Sequence, residues 1–261
     1  MADSNAYSGY VGPEYLRMAA DLCRLDKERT YTAMDARPGA HILDVGCGAG
    51  VDTIPLARLV GENGMVTGVD LDPRMVTEAE RHAAESGVSG WTRHLVADAS
   101  ALPFTDNAFD AVRCERVFQH LADPAAALSE LIRVTRPQGC VVVYDTDYSA
   151  MSIDSDETDI ERRLARFTAA RLRNGYIARS LRRRFIRAGL AEVTVELLPQ
   201  QFTHYQMARL GWLNAVEPQA LAAGILTEDE LARWHADLER KAGEDAFFAS
   251  LAHVLVSGKK V

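Results

Sequence analysis

The chain has no run approaching the ~20 consecutive apolar residues of a membrane span, and its opening MADSNAYSGY has neither the basic nor the apolar region of a secretory leader. It also lacks paired cysteines. Cys23, Cys47, Cys114 and Cys140 make no C-x-x-C pair and no other metal-ligand spacing, which argues against a disulfide framework and against a bound metal. Basic residues are in deficit, 29 Lys and Arg against 37 Asp and Glu, and a formal net charge of -8 is the wrong sign for a nucleic-acid partner. Internal repeats, low-complexity tracts and linkers are absent as well. What these absences leave is a cytoplasmic protein with reduced thiols, read as a single domain over residues 1–261. At 48% hydrophobic, 261 residues are enough for a substantial core.

What is present is an abrupt switch at residues 41–50, HILDVGCGAG, where a short apolar run breaks into Gly46, Gly48 and Gly50. Ile42, Leu43 and Val45 suit a strand buried on both faces. Gly46, Cys47, Gly48, Ala49 and Gly50 remove bulk where the backbone turns tightly and a ligand approaches its peptide groups. From Val51 the apolar spacing of Ile54, Leu56, Ala57, Leu59 and Val60 is helical. Strand, glycine turn and helix together read as a ligand-binding unit.

Ahead of this unit, residues 1–36 have no strand pattern. Tyr7, Tyr10 and Tyr15 recur through YSGYVGPEY, and residues 14–36 read as a helix ended by Pro38-Gly39. The tyrosines suit either a cap packed on the core or a lid over the ligand. Behind the unit, strands are predicted at 65–69, 91–97, 109–114 and 140–144. Asp70 closes the second strand, twenty residues past Gly50, where an adenosine ribose would offer its hydroxyls. Asp72 fits better as the cap of the helix opening at Pro73. Asp98 closes the third strand, either as a turn residue or as acceptor for an adenine amino group. Asp123-Pro124 opens a further helix.

LDVGCGAG, VTGVDLDPRM, VADASALPF, FDAVRCERVFQHLADP and LIRVTRPQGCVVVYD follow one another over residues 40–147, and in that order and spacing they resemble the class I S-adenosylmethionine-dependent methyltransferases, especially their small-molecule, type 11, quinone-biosynthesis-like subgroup. The glycines are spaced G-x-G-x-G; the dinucleotide pattern G-x-G-x-x-G would need glycine where Val51 stands. The resemblance implies an α/β fold, a Rossmann-like doubly wound, seven-stranded, mostly parallel sheet with the last strand antiparallel, plus a helical cap and insertion. It implies S-adenosyl-L-methionine as cofactor and S-adenosyl-L-homocysteine as product. Asp44 would stand near the methionine amino group, and Gly46, Cys47, Gly48 and Gly50 beneath the amino-acid and ribose portions. Asp70 would take the ribose hydroxyls. Leu71 and Met75 would line the adenine pocket, Asp98 and Ala99 would meet the adenine edge, and Cys114 would offer backbone near the methionyl part.

Methyl transfer from a sulfonium needs positioning first and a base only for some acceptors. His120, after the fourth strand, is the leading base, with Asp145 or Asp147 to orient it and Gln119 beside it; the alternative is that His120 packs the next helix. His204 is a second candidate because QQFTHYQMARLGW places it with Tyr205 and Trp212. Tyr10, Gln119, Tyr205 and Trp212 are the substrate-side candidates. Residues 148–187 read as two helices around Asn174-Gly175 carrying ten arginines from Arg162 to Arg187, a solvated face or an anchor for an anion. A sixth strand is expected at 192–198, a helical insertion at 199–245 with a capping box at Thr227 and Glu230, and the final strand at 247–257. The expected activity is methylation of oxygen, nitrogen or carbon on a small organic acceptor, aromatic or quinone-like, in specialised metabolism, by a monomer or homodimer acting on neither nucleic acid nor membrane. The alternatives are a cyclisation or rearrangement in the same pocket, or a protein-directed methyltransferase. Against a nucleic-acid enzyme, no Asn/Asp-Pro-Pro-Tyr/Phe motif follows residues 110–114.

Overall fold

A computed structural model describes residues 24–261. Its elements run α1 (Arg24–Ala33), β1 (His41–Val45), α2 (Thr53–Val60), β2 (Met65–Asp70), α3 (Pro73–Glu85), β3 (Thr92–Val96), β4 (Phe109–Glu115), α4 (Pro124–Val134), β5 (Thr135–Ile153), α5 (Thr158–Arg171), α6 (Leu181–Arg187), β6 (Ala191–Phe202), α7 (Tyr205–Ala208), α8 (Asn214–Ala222), α9 (Glu228–Gly243) and β7 (Ala249–Lys259). The expected helix over residues 14–36 is described from Arg24 onward, and Tyr7, Tyr10 and Tyr15 lie outside the described residues.

The seven strands form one sheet in the order β3-β2-β1-β4-β5-β7-β6. β1 pairs in parallel with β2 and β4, β2 with β3, and β4 with β5. β7 runs the other way: Lys260 N–H donates to Gly139 O near the start of β5, while Asp154 N–H, just past its end, donates to Phe248 O. Order and direction match the expected doubly wound sheet with its late antiparallel strand.

β5 is longer than the five residues predicted, because Pro137-Gln138-Gly139 does not end the preceding element. It forms an irregularity inside the strand, with a register shift against β4 between Phe109 and Ala111 and Gln138 at a φ of 64°. A bulge is one of the few places where a sheet tolerates proline.

The chain divides into two compact units where the sequence reading took one domain. The first comprises the described part of Met1–Tyr144 with Leu181–Glu196 and Leu255–Val261. Its core is the apolar face of α2, α3 and α4 against Ile42, Leu43, Val66, Val112 and Val141–Val143, all essentially without solvent contact. Two helices begin as predicted: Asp72 caps α3 by accepting from Arg74 N–H, and Asp123 caps α4 by accepting from Ala125 and Ala126 N–H, with proline next in both.

The second unit is Asp145–Ser180 with Leu197–Val254. Its core joins Met151, Ile160, Phe202, Trp212, Trp234, Leu238 and Phe247. Glu217 is buried within it and accepts from Trp234 Nε1 (2.9 Å) and Arg209 Nη1 (2.7 Å), so its carboxylate is satisfied. The predicted capping box opens α9: Thr227 Oγ1 accepts from Glu230 N–H, and Glu230 accepts from Thr227 N–H. Several of the arginines at 162–187 pair inside this unit, Arg162 with Glu161, Arg163 with Asp159 and Glu230, and Arg179 with Asp147.

Candidate functional site

The glycine turn follows β1, with Gly46, Gly48 and Gly50 all at positive φ. Gly46 and Cys47 N–H both donate to Val69 O (2.7 and 2.9 Å), pinning the turn to the end of β2. A side chain on Gly46 would overlap Val117 Cγ2, and one on Gly50 would lie 3.0 Å from Ala79 Cβ on α3. The first glycine therefore admits the segment after β4, and the third admits close helix packing. Asp70, at the end of β2, accepts from Gly48 N–H and from Asp72 N–H, each at 2.9 Å. Desolvation raises its pKa even though those donors favour the ionised form. One carboxylate thus fixes the shape of the turn and still has acceptor capacity for hydroxyls.

Beside the turn lies a buried cluster of charge. Arg113 on β4 is 1% exposed; its Nη1 donates to Asp44 Oδ1 (2.9 Å), its Nε to Thr30 Oγ1 (2.8 Å), and its Nη2 contacts Glu115 and Asp52. Lys27 of α1 reaches Asp52 Oδ2 (2.6 Å) and Glu115 Oε1 (2.7 Å). Tyr31 donates to Asp52 Oδ1, and the Arg113 guanidinium lies 5.5 Å from its ring centroid. Lys27 and Arg113 thus face three carboxylates, Asp44, Asp52 and Glu115, and Arg116 Nε stands 3.5 Å from Glu115 Oε1 at the edge of the cluster. Asp44 Oδ2 is buried and has no hydrogen-bond partner among the described residues.

An unpaired carboxylate oxygen out of water is costly, and the group that best satisfies it is a cationic donor such as an ammonium. Burial raises the Asp44 pKa, with Arg113 opposing, to about 6, so the group is ionised at neutral pH. The residues therefore fit the amino-acid end of S-adenosylmethionine at Asp44 and its ribose at Asp70.

Comparisons with known proteins show the family. The family of methyltransferase domains matches residues 43–143. A 37.1 kDa protein in a transposon of Streptomyces fradiae, described as uncharacterized, is 34% identical over 253 residues, 94% of this chain and 71% of that protein. The ubiquinone/menaquinone biosynthesis C-methyltransferase UbiE of Vibrio cholerae is 35% identical over 128 residues; the match spans about half of either chain, 49% of each. The chain belongs to the class I S-adenosylmethionine-dependent methyltransferases. Its fold is shared with the YcgJ protein of Bacillus subtilis, at a TM-score of 0.62 and 19% identity over 91% of this chain and 98% of that one.

In this methyltransferase the remaining predicted residues take different places. Leu71 is 70% exposed just past β2, a large apolar side chain in water next to Asp70, whereas Met75 is buried in α3. Asp98 is exposed and accepts from Ser100 N–H and Oγ, a turn aspartate whose pKa those bonds lower; Ala99 behind it is buried. Cys114 sits in mid-sheet between Val45 and Val143. The Cys47 thiol is buried, and desolvation pushes its pKa well up.

His120 follows a turn closed by its own N–H to Val117 O. Gln119 Nε2 lies 2.9 Å from His120 Nε2, and burial, with Arg116, lowers the ring's pKa to about 4. Asp147 was expected to orient that ring, but in the second unit its carboxylate is clasped by Arg179 Nε (2.8 Å) and Nη2 (2.9 Å) and accepts from Ser149. His204 is exposed at the N-cap of α7 and makes no capping bond. Tyr205 and Trp212 are buried in the second unit's core, against Phe247 and Phe202, rather than standing out as a lid.

Sequence reasoning passed over Lys27, Tyr31, Asp52, Arg113 and Glu115. A signal was available. Arg113 and Glu115 stand two apart, at and just past the end of the strand predicted at 109–114, and charge at alternate positions of a strand inside a sheet must be paired. His82 was also passed over; its Nδ1 lies 2.8 Å from Ala49 O, tying α3 to the glycine turn.

Proposed function

We propose that this methyltransferase moves the methyl group of S-adenosylmethionine to oxygen, nitrogen or carbon of a small organic acceptor, with S-adenosylhomocysteine as product. The observation that carries the cofactor reading is the buried, unpartnered Asp44 Oδ2 next to the glycine turn. Asp44 would hold the methionine ammonium, Asp70 the ribose hydroxyls, and exposed Leu71 would cover the adenine. When bound, the cofactor supplies a methyl on a cationic sulfur that departs as a neutral thioether. The chain's own task is to bring the acceptor into line, and orientation of that kind is worth roughly 7–11 kcal/mol.

His120, neutral at physiological pH, is the candidate base, but with its pKa lowered to about 4 it is a weak one for a phenol and an ammonium alike, so the transfer leans on positioning of an acceptor that is already nucleophilic. The name of the Vibrio cholerae relative supports a carbon on a quinone-like ring. The test is to incubate the purified chain with methyl-labelled S-adenosylmethionine and an extract of its source cells. Label in the small-molecule fraction is expected, while label confined to protein or nucleic acid would overturn the acceptor class.

A further inference from the structure

The buried cluster is more than a set of ion bridges, because one of its carboxylate oxygens is left over. Asp44, Asp52 and Glu115 face Lys27 and Arg113, and Arg116 stands 3.5 Å from Glu115. The side chains of Lys27, Asp44, Asp52, Arg113 and Glu115 are at least nine-tenths buried. Every oxygen of Asp52 and Glu115 is engaged, by Lys27, Tyr31 or Arg113. The oxygen without a partner among the described residues is Asp44 Oδ2.

We infer that Arg113 is a positioning residue for the cofactor: it binds one oxygen of Asp44 and keeps the carboxylate charged with the other oxygen open to a ligand's cation. Lys27 serves the same end from α1, since it shares Asp52 and Glu115 with Arg113 Nη2 while Nη1 holds Asp44. Recognition of the amino-acid end of the ligand is then set by β4 and α1 as well as by the glycine turn. The inference rests on the cofactor reading above and adds to it the residues that control affinity.

The charged and titratable groups around Asp44 are Arg113 from β4, with Glu115 two residues along the same strand and Arg116 paired to it, Asp52 from the residues after the turn, and Cys47 within the turn; Lys27 and Tyr31 from α1 reach Asp52. Arg113 is the one that lowers the Asp44 pKa most; Asp52 and Glu115 raise it. Without Arg113, Asp44 would take up a proton near neutral pH and lose its attraction for an ammonium.

Two probes separate this from a structural role: S-adenosylhomocysteine, which carries the ammonium, and 5′-methylthioadenosine, which lacks the amino-acid end. Titration calorimetry of the full chain from pH 5 to 8 should show S-adenosylhomocysteine affinity falling up to tenfold per pH unit below about pH 6, with 5′-methylthioadenosine unchanged. Arg113→Met should weaken S-adenosylhomocysteine at least tenfold at pH 7 and move its midpoint to higher pH, again with little effect on 5′-methylthioadenosine; Arg113→Lys should restore most of the affinity. Equal losses for both ligands would make Arg113 merely structural and overturn the inference. Should Arg113→Met fail to fold, the wild-type profile still decides, because a flat S-adenosylhomocysteine curve overturns the inference by itself. Failure of both ligands to bind at any pH would instead overturn the cofactor reading, and the inference with it.

Discussion

Lys27→Met keeps the length and most of the packing of a buried side chain and removes its charge. The ammonium lies 2.6 Å from Asp52 and 2.7 Å from Glu115, with all three side chains under a tenth exposed. Removing one partner of a buried pair typically costs about 3–5 kcal/mol, because the remaining charges stay out of water. For a chain of this size that corresponds to a fall in Tm of roughly 6–20 °C in the transition that includes the first unit.

The pH dependence gives a second check. Burial raises the Asp52 pKa, but Arg113 and Lys27 outweigh it and hold the group well below the usual carboxylate range; Glu115 is lowered in the same way. A depressed folded-state pKa gives stability that is complete above the ordinary value near 4 and is lost as the pH falls through the folded value. In Lys27→Met that gain is smaller, so the gap from wild type should be widest at pH 7 and narrow toward pH 4. Urea denaturation, read by hydrogen exchange at β1 and β4 amides, measures it. A difference below about 1 kcal/mol at pH 7 would refute the view that these charges are closed off from water.

Three further outcomes follow from single contacts. Asp70→Ala should weaken S-adenosylhomocysteine binding by about 1–3 kcal/mol in calorimetry, since a hydrogen-bonding carboxylate is lost and the Gly48 N–H is left unpaired. Gly46→Ala should destabilise by at least ~1–3 kcal/mol in denaturant titration, because the new methyl meets Val117 at a φ of 77°. Thr227→Ala should cost about 1 kcal/mol through loss of the α9 cap and leave cofactor affinity as it was.

The parts of the fold legible in the sequence were those written in local signals. The apolar run ending in spaced glycines marked β1 and its turn, Asp72-Pro73 and Asp123-Pro124 marked two helix starts, and Thr227 with Glu230 marked a third. The true length of β5 was not legible, because Pro137 and Gly139 normally end an element and only pairing with β4 and β7 turns them into a bulge. The site divided along the same line. Asp70 and the glycines are near neighbours in a known order, while the cluster around Asp44 assembles α1, β1 and β4 from residues up to 88 apart, as with Lys27 and Glu115. Tyr205 and Trp212 read as substrate-side residues from their place beside His204, yet aromatics at helical spacing are also what a core is made of, and that is where they lie.

The most direct test of the central claim is equilibrium dialysis of the purified chain against labelled S-adenosylmethionine, with S-adenosylhomocysteine and NAD as competitors. Saturable binding that is displaced by S-adenosylhomocysteine and unaffected by NAD is the predicted result, in keeping with glycines spaced G-x-G-x-G and an open carboxylate oxygen on Asp44. No binding, or displacement by NAD, would contradict it.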